Sequence, residues 1–432
     1  MDKLFLLFLL SFISLYLHGQ EESGRSLHYY IETAKENSPL IADYRNQTEI
    51  ERAELERLKA MYTHSRVELN GDYLFVPVIS KDGGRTAFKW NARSATDYYG
   101  YDLGESSGYL HAGATWTQPL LGRSSYKITQ EQAQINMDMA NHRIRMEEHP
   151  LERSVTEQYL LCLLDKAQMD FADSVSSVIG HRMDIVGKLV ESGLAKQSDM
   201  KLLAIEREAN EELRAASCQS YHTHLMDLNL FCGISDTADV ALSDIDLPVL
   251  RLHSDGEPSL FVEQYRLDSL NAVTALRSFN LQYKPALNLF VNGGLQVGDF
   301  AGWYRHFGWS AGLTFSWTIF DGRQKRWKEK QMQWQQNSIR TYKDNSEYQR
   351  SMRIRQCLSE LGRYDERDRA LANQLAGYES VLSDYGREMD AGQVSVLDYI
   401  TMLRSKIQAE KDRLLLRTNR QLVIAAYNYW NW

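Results

Sequence analysis

Between Trp309 and Ile319 the chain alternates without error, with Trp309, Ala311, Leu313, Phe315, Trp317 and Ile319 on one side and Ser310, Gly312, Thr314, Ser316 and Thr318 on the other. Strict period two predicts a β-strand. Its length matches what a tilted strand needs to cross a bilayer, about 9–11 residues. The apolar side is therefore expected to face lipid, and the side with Thr314 and Ser316 a lumen. Weaker alternation marks three more strands, through Val67, Leu69, Tyr73 and Phe75, through Leu110, Ala112, Ala114 and Trp116, and through Leu287, Leu289 and Val291, the last broken by Phe290. The expectation is two hairpins, four strands in all. Tyr73, Tyr109, Trp303, Tyr304 and Trp309 at the strand ends suit interfacial girdles, although each alone is plain packing.

Behind each hairpin the period changes. Leu371, Leu375, Tyr378, Leu382, Tyr385 and Met389 step by 4, 3, 4, 3, 4, a 3.5-residue repeat that specifies coiled-coil packing. Shifted back by 200, the same steps fall on Phe171, Val175, Val178, Arg182, Ile185 and Leu189, with Arg182 out of character. No proline follows Pro285, so a helix from Arg323 to Ala391 could run about 100 Å at about 1.5 Å per residue. Pro150 has no counterpart in the second copy and is expected to kink or break the earlier helix. After Gly193 and Gly392 a helical pattern resumes, so each copy ends in a long helical hairpin that reverses at a glycine.

The two halves repeat one another. Tyr44-Arg45 matches Tyr265-Arg266 and Tyr62 matches Tyr283 at an offset of 221, and Asn70-Gly71 matches Asn292-Gly293 at 222. Gly122-Arg123 matches Gly322-Arg323 at 200, and Gly193 and Asp199 match Gly392 and Asp398 at 199. The single change of offset places some 20 extra residues in a loop of the first copy, around Ser80 to Ser107. The expected organisation is a first repeat over residues 20–232, a polar connector over 233–257 and a second repeat over 258–432, each repeat being helix, β-hairpin and helical hairpin.

Residues 1–19 carry Lys3 and then an apolar run from Leu4 to Leu17, which reads as a secretory signal peptide cleaved after Gly19, with an N-terminal anchor as the alternative. No later window of 18 apolar residues exists, so any membrane insertion must use strands. A net charge of −8 without a basic run argues against nucleic-acid binding. Catalytic and nucleotide-binding motifs are absent, and no cofactor is expected. His222 and His224 near Asp227 read as surface rather than as a metal site, Asp244 and Asp246 as turn acids. Cys162, Cys218, Cys232 and Cys357 read as buried apolar side chains, with a Cys218 to Cys232 disulfide as a minor alternative.

Four strands cannot close a membrane barrel, which needs at least about eight, and open edges in lipid leave backbone groups unpaired. Three copies would supply twelve strands and six helical hairpins. The paired organisation, the segments SWTIFDGRQK (Ser316 to Lys325) and TWTQPLLGRSSYK (Thr115 to Lys127), and the turns SGLAKQSDM (Ser192 to Met200) and AGQVSVLDYI (Ala391 to Ile400) resemble the TolC-like outer-membrane efflux proteins over essentially the whole mature chain. That resemblance implies a mainly α-helical chain with a membrane β-portion, a homotrimer in outer-membrane lipid, and a passive exit duct meeting a periplasmic adaptor and an inner-membrane pump. It places Gly193, Leu194 and Asp199 in one adaptor-docking tip and Gly392, Val394 and Asp398 in the other, with Asp398 at the periplasmic entrance. Thr401 stands where a second acid can occur. No cysteine near Gln20 suggests an acyl anchor. A non-channel helical scaffold of the cell envelope, its strands in a soluble sheet, is the alternative; solubility of the mature protein without detergent would favour it.

Overall fold

The computed structural model describes residues 24–73, 78–82, 85–89, 110–252, 259–297, 303–305, 307–390, 393 and 395–432. The helices are α1 (Leu27–Asn37), α2 (Pro39–Thr63), α3 (Gly122–Glu191), α4 (Gln197–Phe231), α5 (Leu260–Phe279), α6 (Gln324–Asp390) and α7 (Val396–Trp430). The strands are β1 (Arg66–Tyr73), β2 (Val78–Asp82), β3 (Arg85–Lys89), β4 (Leu110–Pro119), β5 (Ala286–Val297) and β6 (Phe307–Ser316). None of the described helices is long and apolar enough to cross a membrane. Along the chain, helix, strands and long helices follow one another twice.

The two expected hairpins join through β4 and β5 into one antiparallel sheet of order β1-β4-β5-β6. The extra residues of the first copy are not all loop, since β2 and β3 pair with each other within them. The last strand also differs from its sequence pattern. It starts at Phe307 and stops at Ser316, so Trp317 and Ile319 lie beyond it, 56% and 83% exposed. Pro285, which has no N–H to give, precedes the partner strand, and Ala286 opposite Ser316 is the last ladder pair. Past that point the Trp317 indole N–H donates to the Tyr283 carbonyl at 3.1 Å instead.

Of the kink or break expected at Pro150, the break does not occur: helix α3 runs unbroken through it. Pro150 withholds an N–H from the Met146 carbonyl, a loss of about 3 kcal/mol or more, and Val155 and Tyr159 just beyond it, fully buried in the core, hold this part of the helix in place. Cys218 is exposed, not buried, and all four cysteines are free thiols.

The chain divides into two compact units. One, residues 46–141 and 264–342, holds the sheet and the helix portions that belong to it. There Gly122 passes so close to the Tyr62 carbonyl that no Cβ would fit. Amides link the helices: Gln132 Nε2 donates to Asn271 Oδ1 at 2.6 Å, and Gln336 Nε2 to the Ser269 carbonyl at 2.9 Å.

The other unit, residues up to 45, 142–263 and 343–432, contains the main cores. Tyr30 and Ala34 of α1 pack with Val155, Tyr159 and Cys162 of α3, Leu225 and Leu228 of α4, and Leu242 of the connector. Arg25 forms a parallel bridge with Leu242, and Tyr159 Oη lies 2.9 and 2.6 Å from the carbonyls of Arg25 and Ser243. Further on, the connector is strapped to α7 by side-chain amides. Gln421 accepts from the Leu247 N–H at 2.9 Å, Asn428 accepts from the Leu250 N–H at 3.1 Å and donates to the Pro248 carbonyl at 2.9 Å, and Asn431 donates to the Arg251 carbonyl at 2.7 Å. Backbone groups of an irregular segment must find partners somewhere; here they find them on a helix face.

Candidate functional site: an amphipathic sheet and two helical tips

Because side chains alternate along a strand, the ladder registers assign every described sheet residue to one of two faces. One face carries Val67 and Leu69 of β1, Ala114 and Trp116 of β4, Leu287, Leu289, Val291 and Leu295 of β5, and Phe307, Trp309, Ala311, Leu313 and Phe315 of β6. The other carries Glu68 and Asn70, Thr115 and Thr117, Asn288 and Asn292, and Ser310, Thr314 and Ser316. The alternation that was clear in only one strand thus holds across all four, in register. Among the described residues nothing covers much of the apolar face: Leu69 is 86% exposed, Trp309 77%, and Leu313 and Phe315 62% each. Gln118 is the polar residue on that face; its amide donates to the carbonyls of Thr63 and Pro119, 3.1 Å each, at the helix end of β4. The sheet is also open, with β1 and β6 as its edges.

Both helical tips belong to the unit that holds the cores. At the first, Gly193 has φ +76°, and the Gly193, Leu194 and Ala195 N–H groups close α3 by bonding the carbonyls of Val190 and Leu189. This is a left-handed glycine cap, where any Cβ would be strained. Leu194 follows it 73% exposed. Asp199 turns back, its Oδ2 accepting from the Lys196 N–H at 3.1 Å. At the second tip Gly392 and Val394 lie outside the described residues. Ser395 caps α7: its hydroxyl accepts from the Asp398 N–H at 3.2 Å and donates to Asp398 Oδ2 at 2.7 Å. The structure thus gives both aspartates a place in the capping of their own helices.

Behind the tips the helices of both hairpins share one core. It contains Val175, Ile179 and Val186 of α3, Leu203 of α4, Leu382 and Met389 of α6, and Val396, Tyr399, Ile400 and Leu403 of α7. The seam predicted for α6 is right at Leu375, Leu382 and Met389, all buried. The seam carried over to α3 is right at Val175 and departs after it: Val178 is 45% exposed, and the inward line runs from Ala172 and Val175 through Ile179 and Val186. Arg182, which broke the apolar pattern, has a partner of its own. Its guanidinium lies 5.0 Å from the Tyr399 ring centroid, its Nε donates to Tyr399 Oη at 3.2 Å, and it passes α6 at Gly386, where a Cβ would collide with it. Glu206, 6% exposed on α4, accepts from Arg404 of α7 at 2.7 Å. Sequence reading missed Gly386; an arginine within an apolar seam and a glycine on the neighbouring helix were the available signals.

The remaining candidates resolve as structural contacts. His222 pairs with Asp239 and His224 with Asp165, at 2.8 and 2.5 Å, rather than with Asp227. Asp244 meets Lys166 at 3.0 Å, and Asp246 accepts from Gln421. Burial pushes the Cys162 and Cys232 thiols up to about 12, which makes them unreactive core groups. Among the described residues no group of His, Cys, Asp and Glu is placed to hold a metal ion.

No protein-family model matches the chain, and no curated protein does. Solved structures do. The Campylobacter jejuni CmeC outer membrane channel is 10% identical, with 94% of this chain and 85% of that chain covered at a TM-score of 0.66. The outer membrane protein VceC from Vibrio cholerae is 12% identical over 94% and 95%, also at 0.66. The open state of the Neisseria gonorrhoeae MtrE outer membrane channel is 14% identical over 94% and 88%, at 0.65. This chain therefore has the fold of these channels: long helical hairpins with four antiparallel strands in one sheet.

Proposed function

We propose that this chain is a TolC-like outer-membrane channel protein, one third of a homotrimeric duct, and not an enzyme. The observation that carries this is the sheet, apolar on one face over four strands in register and unpaired at both edges. In water such a face would be an aggregation hazard; in lipid it is what a barrel segment needs, provided other copies complete the ring. The likeness in fold to solved outer-membrane channels supports the same reading. In the duct the strands stand in the outer membrane and the helical hairpins in the periplasm. The exposed Leu194 at the first tip is suited to an apolar contact with a periplasmic adaptor, which in turn meets an inner-membrane pump; Gly193, Asp199, Gly392, Val394 and Asp398 complete the docking tips. Asp398, exposed at the start of α7, is proposed to line the periplasmic entrance besides capping its helix. The test is reconstitution of the purified protein in planar bilayers. Discrete, long-lived conductance steps are expected, and a well-folded protein that stays in solution without detergent and never conducts would point to the envelope scaffold instead.

A further inference from the structure

Phe290 is the large apolar residue on the polar face of the sheet. Its neighbours on that face along β5 are Asn288 and Asn292, and across the ladders it stands between Thr117 and Gly312. Gly312 is the only residue of β6 that is not exposed. What covers it is the Phe290 ring: a Cβ placed at Gly312 would stand 2.7 Å from the ring's Cζ and 3.0 Å from a Cε. No real Cβ sits that close to a carbon, so the ring lies where it does only because residue 312 has no side chain. At Gly308, on the same strand and the same face, a Cβ would meet nothing within 4 Å. Glycine inside a strand weakens it, and an aromatic ring laid over a glycine on an edge strand recovers part of that loss. Stability alone would be served equally on the apolar face. On the polar face the arrangement has a second effect: it keeps a bulky ring down against the sheet, out of the space in front of it.

We propose that the Phe290–Gly312 pair sets the bore of the duct at the level of the strands. This rests on the channel reading above and deepens it. In a ring of three copies, three rings lie folded onto three glycines, and a methyl group at 312 forces each to swing away from the sheet into the lumen. The pair thus fixes the largest cargo that passes this level, while the polar side chains around it supply a neutral, hydrated wall.

The test places a cysteine at Thr314, the next position on the same face towards α6, in a Cys218→Ser background that removes the exposed native thiol and leaves the three buried ones. Maleimides carrying polymers of graded mass, added outside intact cells, reach that cysteine only past residue 290. Gly312→Ala should lower the mass cut-off for labelling, Phe290→Ala should raise it, and the double variant should behave as Phe290→Ala. Unchanged cut-offs in both single variants, with altered thermal stability only, would overturn the proposal and leave a purely structural role. Should Gly312→Ala fail to assemble, the Phe290→Ala cut-off decides alone. If cysteine at 314 resists every reagent while trimers sit in the membrane, the channel reading fails, and this proposal with it.

Discussion

Asp398 caps its helix in the structure and is proposed to face the entrance as well. Its hydrogen bond to the Ser395 hydroxyl holds the first turn of α7, where negative charge also suits the helix dipole. The capping contribution can be separated, since Ser395→Ala should cost about 1 kcal/mol of stability and leave conductance alone, as thermal denaturation and bilayer recording would show. Asp398→Asn keeps a hydrogen-bonding side chain but removes charge. If three such carboxylates face one another at an entrance, the substitution should weaken block by divalent cations with trimer yield unchanged. A change confined to the melting temperature would leave only the cap. Asp165 bears on stability rather than on transport. It is 5% exposed, and burial pushes its carboxyl above the ordinary range, against the opposing pull of the His224 hydrogen bond. A carboxyl with a raised folded pKa binds its proton more readily folded than unfolded, so stability should fall as pH rises from the unfolded value of about 3.9 through the raised one. Asp165→Asn should flatten that part of the curve of melting temperature against pH.

At the scale of the element, the sheet makes a claim about its two faces that charge can test. Leu313→Arg or Phe315→Arg should cost about 2–4 kcal/mol near the bilayer midplane and reduce assembled protein, whereas Thr314→Arg should assemble normally. Equal tolerance, measured as heat-stable oligomer in the membrane fraction, would place the strand outside lipid. Much of this sheet was legible because period two has few impostors over ten residues. What escaped was where the pattern ends: Trp317 and Ile319 keep the alternation, but a proline before the partner strand removes the ladder they would join. Phe290 looked like an error in the alternation and proved to be the residue that fills the space left by Gly312. In α3 the apolar positions from Phe171 to Val190 offer two adjacent stripes, and no repeat offset can say which one turns inward. Packing against Leu203, Leu382 and Tyr399 selects the line through Ile179 and Val186. The glycine turn at Gly193 was readable from local chemistry alone, since a chain that reverses in the left-handed region needs no distant partner. Arg182 was not, because its partners Gly386 and Tyr399 lie some 200 residues away and only folding brings them together.

For the molecule as a whole, the two open edges call for further copies of the chain, and the proposed channel makes the number three. Cross-linking in native membranes should give trimers that persist in mild detergent, because each edge strand then pairs with a neighbour's and no backbone group is left bare in hydrocarbon. Monomers would require a different way of covering β1 and β6, and a ring of another size would overturn the trimer. The strap between connector and α7 has a consequence of another kind, for the order in which the chain comes together. Leu247, Leu250 and Arg251 wait for amides that lie 174 to 180 residues further along. The first repeat can form its own helices early, but the connector stays unlatched until α7 has been made and laid against it. A product without α7 should therefore keep its connector open to proteolysis, so that the middle of the chain closes only on a folded second repeat.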